Sequence, residues 1–255
     1  MSVPLWDRAR GRYIRSAARF CVKRPLAINT QTPLVSFTFD DFPRSALLAG
    51  GAILHRFGLR GTYYTSFGLM GKQAPTGSIF LPEDLAVALE QGHELGCHTF
   101  GHCDAWETKA GAFEDSVIDN QRALDNLVPG ARFKTLSYPI SPPRVGTKRK
   151  VGRHFVCCRG GGQAFNVGCA DLNYLSGYFL EKSRDDPESV KSVIRENAQA
   201  RGWLIFATHD VCKSPTPYGC TPEFFEEILQ AAVDSGARIL PVFEAWKALC
   251  GSLSS

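Results

Sequence analysis

The chain of 255 residues contains no run of about 18 apolar residues, the length a membrane-spanning helix requires. It has no Cys-x-x-Cys pair, so a cysteine-type zinc site is not expected. Its nine cysteines (21, 97, 103, 157, 158, 169, 212, 220 and 250) are odd in number and irregularly spaced, and Cys157 and Cys158 are adjacent. That pattern argues against a disulfide framework and fits a reducing compartment. No apolar stretch of about 7 to 15 residues with a small-residue cleavage site follows the basic N-terminus, so no secretory signal is read and a cytoplasmic protein is expected. No internal repeat or low-complexity tract is present. At 44% hydrophobic and 21% charged residues, the chain has the composition of an ordinary globular protein with a sizeable core.

Positive charge is confined to one end. Residues 1–24 carry Arg8, Arg10, Arg12, Arg15, Arg19, Lys23 and Arg24 against Asp7 alone, a balance of +6. The whole chain is +4, which leaves 4 − 6 = −2 for the remainder. Trp6, Tyr13 and Phe20 recur every seven residues, with Ile14, Ala17 and Cys21 near the same face. This reads as a basic amphipathic helix. Its apolar stripe packs on the domain in one reading and meets an anionic membrane surface or an acidic partner in the other. Nucleic acid is not expected as a partner, because the body behind the arm is not basic.

From residue 33 onward, strand and helix patterns alternate. Strands are read at Leu34–Phe39, Gly61–Ser66, His93–Cys97, Phe133–Tyr138, His154–Cys158, Trp203–Thr208 and Arg238–Val242. Helices are read at Ser45–Phe57, Leu81–Gln91, Ala112–Leu127, Pro187–Ala200, from Thr221 to about Ser235, and at Glu244–Leu249. Ser141–Gly152 and Gly160–Gly168 read as loops. Alternation of this kind implies parallel β/α units, and about seven of them suggest a barrel over an open sheet.

Two segments carry the chemistry. Thr38-Phe39-Asp40-Asp41 places a carboxylate pair where a strand ends, and His98-Thr99-Phe100-Gly101-His102 places two imidazoles four residues apart. If the second segment is one helical turn, both rings share a face and can reach one ion. A metal held by two His and one carboxylate, with a second carboxylate free beside it, can activate water for hydrolysis. Each motif alone has a bland explanation: a solvated turn or helix cap for the Asp pair, a surface or core role for the His pair, a structural histidine for His209. Together, Asp40, Asp41, His98, Pro139 and His209 all fall at predicted strand ends, which in a β/α barrel form a single rim.

These segments, with Gly92-His93-Glu94-Leu95-Gly96-Cys97 leading into the His pair and a late strand ending in His209, resemble the polysaccharide deacetylase (NodB-homology) family over roughly residues 33–245. The resemblance implies a distorted (β/α)7 barrel. It also implies that Asp40 is the general base, that Asp41, His98 and His102 hold one divalent metal (zinc, with cobalt or nickel tolerated), and that His209 is the general acid. The family's Arg-x-Pro-Tyr-Gly run is here Ser137-Tyr138-Pro139-Ile140-Ser141. The backbone N–H of Ile140 can serve the oxyanion as the tyrosine's would, but the arginine that holds the base is missing. Arg159 and Arg144 are the candidates to replace it, and the departure marks a divergent branch. Asp210 or Asp171 is the candidate carboxylate for orienting His209.

The sequence therefore implies an arm (1–32) on a single α/β domain, a (β/α) barrel over 33–250. The expected activity is metal-dependent removal of an acyl group, most simply N-acetyl, from an amino sugar or oligosaccharide. Trp106, Tyr138, Arg159 and Tyr218 are candidate substrate contacts. The alternatives are an amide hydrolase of the same family with a non-sugar substrate and a catalytically silent carbohydrate-binding barrel. Residues 1–24 offer peripheral membrane contact.

Overall fold

Two segments without a charged residue, Leu34–Phe39 (LVSFTF) and Trp203–Thr208 (WLIFAT), are buried at every position, as strands covered on both faces must be. They form the centre of the fold in the computed structural model, which describes residues 5–28 and 30–251, with side chains from residue 9 onward. The parallel strands are β1 (Leu34–Phe39), β2 (Thr62–Thr65), β3 (Glu94–Cys97), β4 (Thr135–Ser137), β5 (Cys157–Arg159), β6 (Tyr178–Phe179), β7 (Trp203–Thr208) and β8 (Arg238–Ile239). Seven of them make one curled sheet in the order β6-β7-β1-β2-β3-β4-β5. β7 and β1 pair over their full length, from Trp203 with Leu34 to Thr208 with Phe39. Leu175, just ahead of β6, bridges Arg159 of β5, so the segment leading into β6 draws the two edges of the sheet together.

The helices are α1 (Leu5–Phe20), α2 (Ala52–Arg56), α3 (Pro82–Glu90), α4 (Ala110–Leu127), α5 (Val145–Val151), α6 (Pro187–Ala200), α7 (Pro222–Asp234) and α8 (Val242–Gly251). Three of them start on proline at the first turn, where the missing N–H costs nothing. Asp186 and Thr221 cap α6 and α7 by accepting from Ser189 N and Phe224 N. Inside, Phe37, Phe39, Phe42, Tyr63, Phe80, Phe206 and Phe225 are fully buried and in mutual ring contact. Truncating any of these phenylalanines to alanine removes about 3–5 kcal/mol.

The curled parallel α/β sheet agrees with the expected fold class, but two local expectations need correction. The seventh member of the sheet path is the two-residue β6, too short to show a pattern. The expected last strand, β8, instead pairs with Leu34 and Val35, on the edge of β1 whose far half pairs with β2. The expected loop Ser141–Gly152 contains α5, whose apolar positions are few but buried: Val151 and the aliphatic stem of Lys148.

The arm docks chiefly through alanines, and of its aromatic stripe Tyr13 touches Trp106 edge-on while staying exposed. Ala17 and Ala18 are buried, whereas Tyr13 and Phe20 are 66% and 64% exposed. The Trp6 side chain lies outside the described residues. Lys148, fully buried, donates to Ala18 O (2.6 Å) and Cys21 O (2.8 Å) and pairs with Asp171. It thereby satisfies carbonyls that the end of α1 leaves free. After the helix, Pro25–Ile28 pairs antiparallel with Gly168–Asp171. Among the described residues no helix is long and apolar enough to cross a membrane.

Candidate active site

Because the strands of the curled sheet are parallel, their C-terminal ends share one rim. Asp40 follows β1, His98 follows β3, Pro139 lies two residues beyond β4, Arg159 ends β5, and His209 follows β7. The backbone N–H of Asp40 is fixed by Thr208 O (2.9 Å) and that of His98 by Thr65 O (2.9 Å), so each loop starts from a neighbouring strand. The segment from His98 to His102 is a turn and not a helix, with Thr99 and His102 at positive φ. Ser116 Oγ accepts from the N–H groups of Phe100 and Gly101, and Thr99 Oγ1 from that of Cys103. These staples bring the two imidazole centroids to 5.0 Å.

Asp41, His98 and His102 converge. One ligand atom from each lies within 4.8 Å of the others, and Asp41 Oδ1 is 3.6 Å from His98 Nε2 and 3.1 Å from His102 Nε2. Asp41 Oδ1 is buried and receives no well-directed hydrogen bond, while Oδ2 accepts from Thr76 Oγ1 at 3.0 Å. His98 donates from Nδ1 to Ser137 O (2.8 Å), which turns Nε2 toward Asp41. An imidazole fixed from behind and an orphaned carboxylate oxygen in front are what a borderline divalent cation needs, so the residues fit a metal. Burial pushes His98 down to about 4, against the pull of Asp40 and Asp41. Burial also disfavours charge on His102, but the facing carboxylate of Asp41 outweighs it and raises this ring above its usual value. Burial would raise Asp41 as well, yet the facing His102 and His98 hold it well below the carboxylate range.

Asp40 is 4% exposed and receives a hydrogen bond from Arg159 Nη2. Burial would raise its carboxyl, but the Arg159 guanidinium, with His98 and His209, holds it below the usual value. Arg159 itself is buried, donates to Ser137 Oγ (2.6 Å), and lies over the rings of Tyr64 and Phe179. Ser137 stands where the family pattern has its arginine, and Arg159 is its register partner on β5. The charge has moved one strand across and still reaches the same carboxylate. Arg159 is therefore the partner of Asp40 and not a substrate contact.

Ile140 has φ +62°, strained for a β-branched residue. Its side chain is 68% exposed, and its N–H has no acceptor among the described residues. Asp41, Phe42, Thr99, His102 and Ile140 are five of the eight non-glycine positive-φ positions among the described residues, so backbone strain gathers on three rim loops. His209 is half-buried, with Nδ1 3.1 Å from Tyr218 O and its ring edge-on to Tyr218, which is 45% exposed on the rim.

Other expected residues lie elsewhere. Tyr138 is a core residue, packed near Phe113 and Tyr174, with its hydroxyl donating to Asn173 O. Trp106 is covered by Tyr13 of the arm and by Arg144. Asp210 turns into its own loop to accept from Thr216, and Asp171 serves Lys148, so neither orients His209. The carboxyl that does sense both His209 and Asp40 is Glu181, just after β6, which sequence reasoning missed. Burial lifts it to about 7, and its Oε2 is buried without a partner. Only the apolar Tyr178-Phe179-Leu180 run ahead of Glu181 could have signalled it. Thr76 and Ser137 were missed as well.

A curled parallel α/β barrel with a carboxylate-histidine cluster on its C-terminal rim is the class that fold and site define. The polysaccharide deacetylase family model matches residues 27–151, and this stretch, with Asp40, Asp41, His98 and His102, belongs to that family. No curated protein matches the chain in sequence. Among solved structures, the chitin deacetylase of Colletotrichum lindemuthianum is similar with a TM-score of 0.61 at 16% identity, over 86% of this chain and 88% of that one. The Xyl-CE4 domain of a multidomain xylanase from the hindgut metagenome of Trinervitermes trinervoides gives 0.56 at 18%, over 85% and 91%. A CE4 family pseudoenzyme from Bacillus anthracis gives 0.58 at 10%, over 86% and 66%. At these identities the likeness shows the shared fold.

Proposed function

We propose that this protein is a metal-dependent hydrolase that removes an acyl group, most simply acetyl, from the nitrogen of an amino sugar or short oligosaccharide. The observation that carries the reading is the convergence of Asp41, His98 and His102 beside an Asp40 clamped by Arg159. Asp41 Oδ1, His98 Nε2 and His102 Nε2 would hold the divalent cation, with zinc the first choice for this donor set and cobalt or nickel possible substitutes. Such an ion supplies a Lewis acid that polarises the acyl oxygen and lowers the pKa of water.

The chain's own groups do the rest. Asp40, kept ionised by Arg159, takes the proton of the water that attacks the acyl carbon. The free N–H of Ile140 donates to the oxygen that becomes negative. His209 gives a proton to the nitrogen as the C–N bond breaks, leaving acetate and a free amine. Tyr218 offers a ring on the rim for a sugar face.

The outward face of α1 exposes Arg12, Tyr13, Arg15, Arg19 and Phe20, with Lys23 exposed just beyond its end, which supports peripheral contact with an anionic surface and hence a lipid-linked sugar among the substrates. Nine unpaired cysteines support a reducing, cytoplasmic setting. The test is acetate release from a panel of N-acetylated sugars by the metal-loaded protein. Turnover of simple amides alone would select the non-sugar hydrolase. Binding of acetylated sugars without acetate release would select the silent barrel.

A further inference from the structure

At the end of the barrel opposite the rim, a groove of about 760 Å³ opens between α4, the segments leading into β4 and β5, and α8. Its floor is apolar, formed by Val117, Phe133, Leu172 and the indole of Trp246. Five cations line it, Arg24, Arg122, Arg132, Lys134 and Arg153, and none of its fourteen lining residues is acidic. Arg122 and Arg132 have carboxylate partners, Asp119 and Asp125, on the outer surface. Lys134 and Arg153 have no acidic partner among the described residues. Arg24 is already engaged, its Nη2 donating to Phe155 O (2.9 Å) and Val156 O (2.8 Å), which leaves Lys134 and Arg153 as the uncommitted cations of the groove.

The volume suits a small organic ligand. The unpaired charges of Lys134 and Arg153 over an apolar floor favour an anion over neutral or cationic compounds, and no lining residue belongs to the catalytic rim. We propose that this groove binds an amphipathic anion, a phosphate-, sulfate- or carboxylate-bearing head on an alkyl or aryl body. The head sits at Lys134 and Arg153, and the body lies along Phe133 and Trp246. This holds whether or not the rim performs the proposed hydrolysis.

The test uses the full chain and dodecyl phosphate below its micelle concentration, followed by calorimetry and by tryptophan fluorescence. Binding is expected in the micromolar range, with a fluorescence change that is lost in Trp246→Phe. The neutral dodecyl maltoside is expected to bind at least about tenfold more weakly, and the exposed double reversal Lys134→Glu/Arg153→Glu to weaken dodecyl phosphate by about tenfold or more. Acetate release should be unchanged in both variants. Sedimentation with phosphatidylserine vesicles separates the sources: co-pelleting that the double reversal abolishes assigns the head to a membrane lipid, and binding of the phosphate without co-pelleting assigns it to a free amphiphile. No binding of dodecyl phosphate at millimolar concentration would overturn the proposal. Equal affinity for the neutral detergent, or affinity unchanged by the double reversal, would do the same.

Discussion

Replacing Arg159 by methionine tests the relocated clamp on Asp40. The side chain is 1% exposed, and its guanidinium serves Asp40, Ser137 Oγ and Gly160 O at once. Methionine fills much of the volume but leaves a buried carboxylate without its guanidinium. Breaking a buried pair from one side costs about 3–5 kcal/mol, mostly from the charge left behind. Asp40→Asn in the same background removes that charge, so the double variant should recover a large part of the loss, giving a coupling energy on the order of 1–3 kcal/mol. The pH response follows from the same pair. Asp40 is held below its unfolded value of about 3.9, so its contribution to stability is present above that pH and lost as pH falls through the lower folded value. In Arg159→Met, burial prevails and the carboxyl rises, so the loss begins at higher pH and the acid limb of kcat/KM moves up with it. Urea unfolding at pH 4 to 8 and a pH–rate profile on the metal-loaded protein read both effects. Arg159→Met within about 0.5 kcal/mol of the parent, with an unmoved acid limb, would refute the clamp.

Glu181 is lifted to about 7 by burial, so its ionisation weakens the fold as pH rises from its unfolded value of about 4.3 toward 7. Glu181→Gln should remove that slope and be more stable than the parent at pH 8 by on the order of 1–3 kcal/mol, but not at pH 4, as paired melting curves would reveal. Asp40→Asn should keep its metal and lose about 100-fold or more in turnover, whereas Asp41→Asn should lose metal affinity too, a contrast read by metal analysis alongside kinetics. Lys148→Met leaves Asp171 without its cation and the end of α1 without its donor. It should lower stability by about 3–5 kcal/mol and expose residues 1–24 to trypsin, a result that an undiminished melting temperature would contradict.

Legibility differed from residue to residue, for physical reasons. β1 and β7 were plain because six consecutive buried positions leave an unbroken apolar signature. The Asp pair and the His pair stood out because their spacing has a chemical meaning that survives any local geometry. The turn at His98–His102 contradicts the helical expectation, yet the rings still meet, since positive φ at Thr99 and His102 does what helical spacing would have done. Arg159 was visible only as an arginine at a strand end. Its link to Asp40 depends on the register of β4 and β5, which one-dimensional patterning does not contain. Glu181 was hidden because β6 has two residues, and a period cannot be read from two positions. Helix α5 was hidden by the prolines before it and the lysines within it, whose stems pack while their charges suggest a loop. The arm reads as an amphipathic helix, but which side packs was left open by its pattern, and small Ala17 and Ala18 are buried while Tyr13 and Phe20 stay exposed because alanines allow the closer approach.

The proposed hydrolysis rests on Asp41, His98 and His102 holding one divalent metal. Metal content by mass spectrometry after equilibrium dialysis against zinc, measured with acetate release from an N-acetylated sugar, tests it most directly. One ion per chain is expected in the parent protein, with loss of both ion and acetate release in His98→Ala and His102→Ala. Retention of the ion in both variants, or full acetate release from metal-free protein, would contradict it.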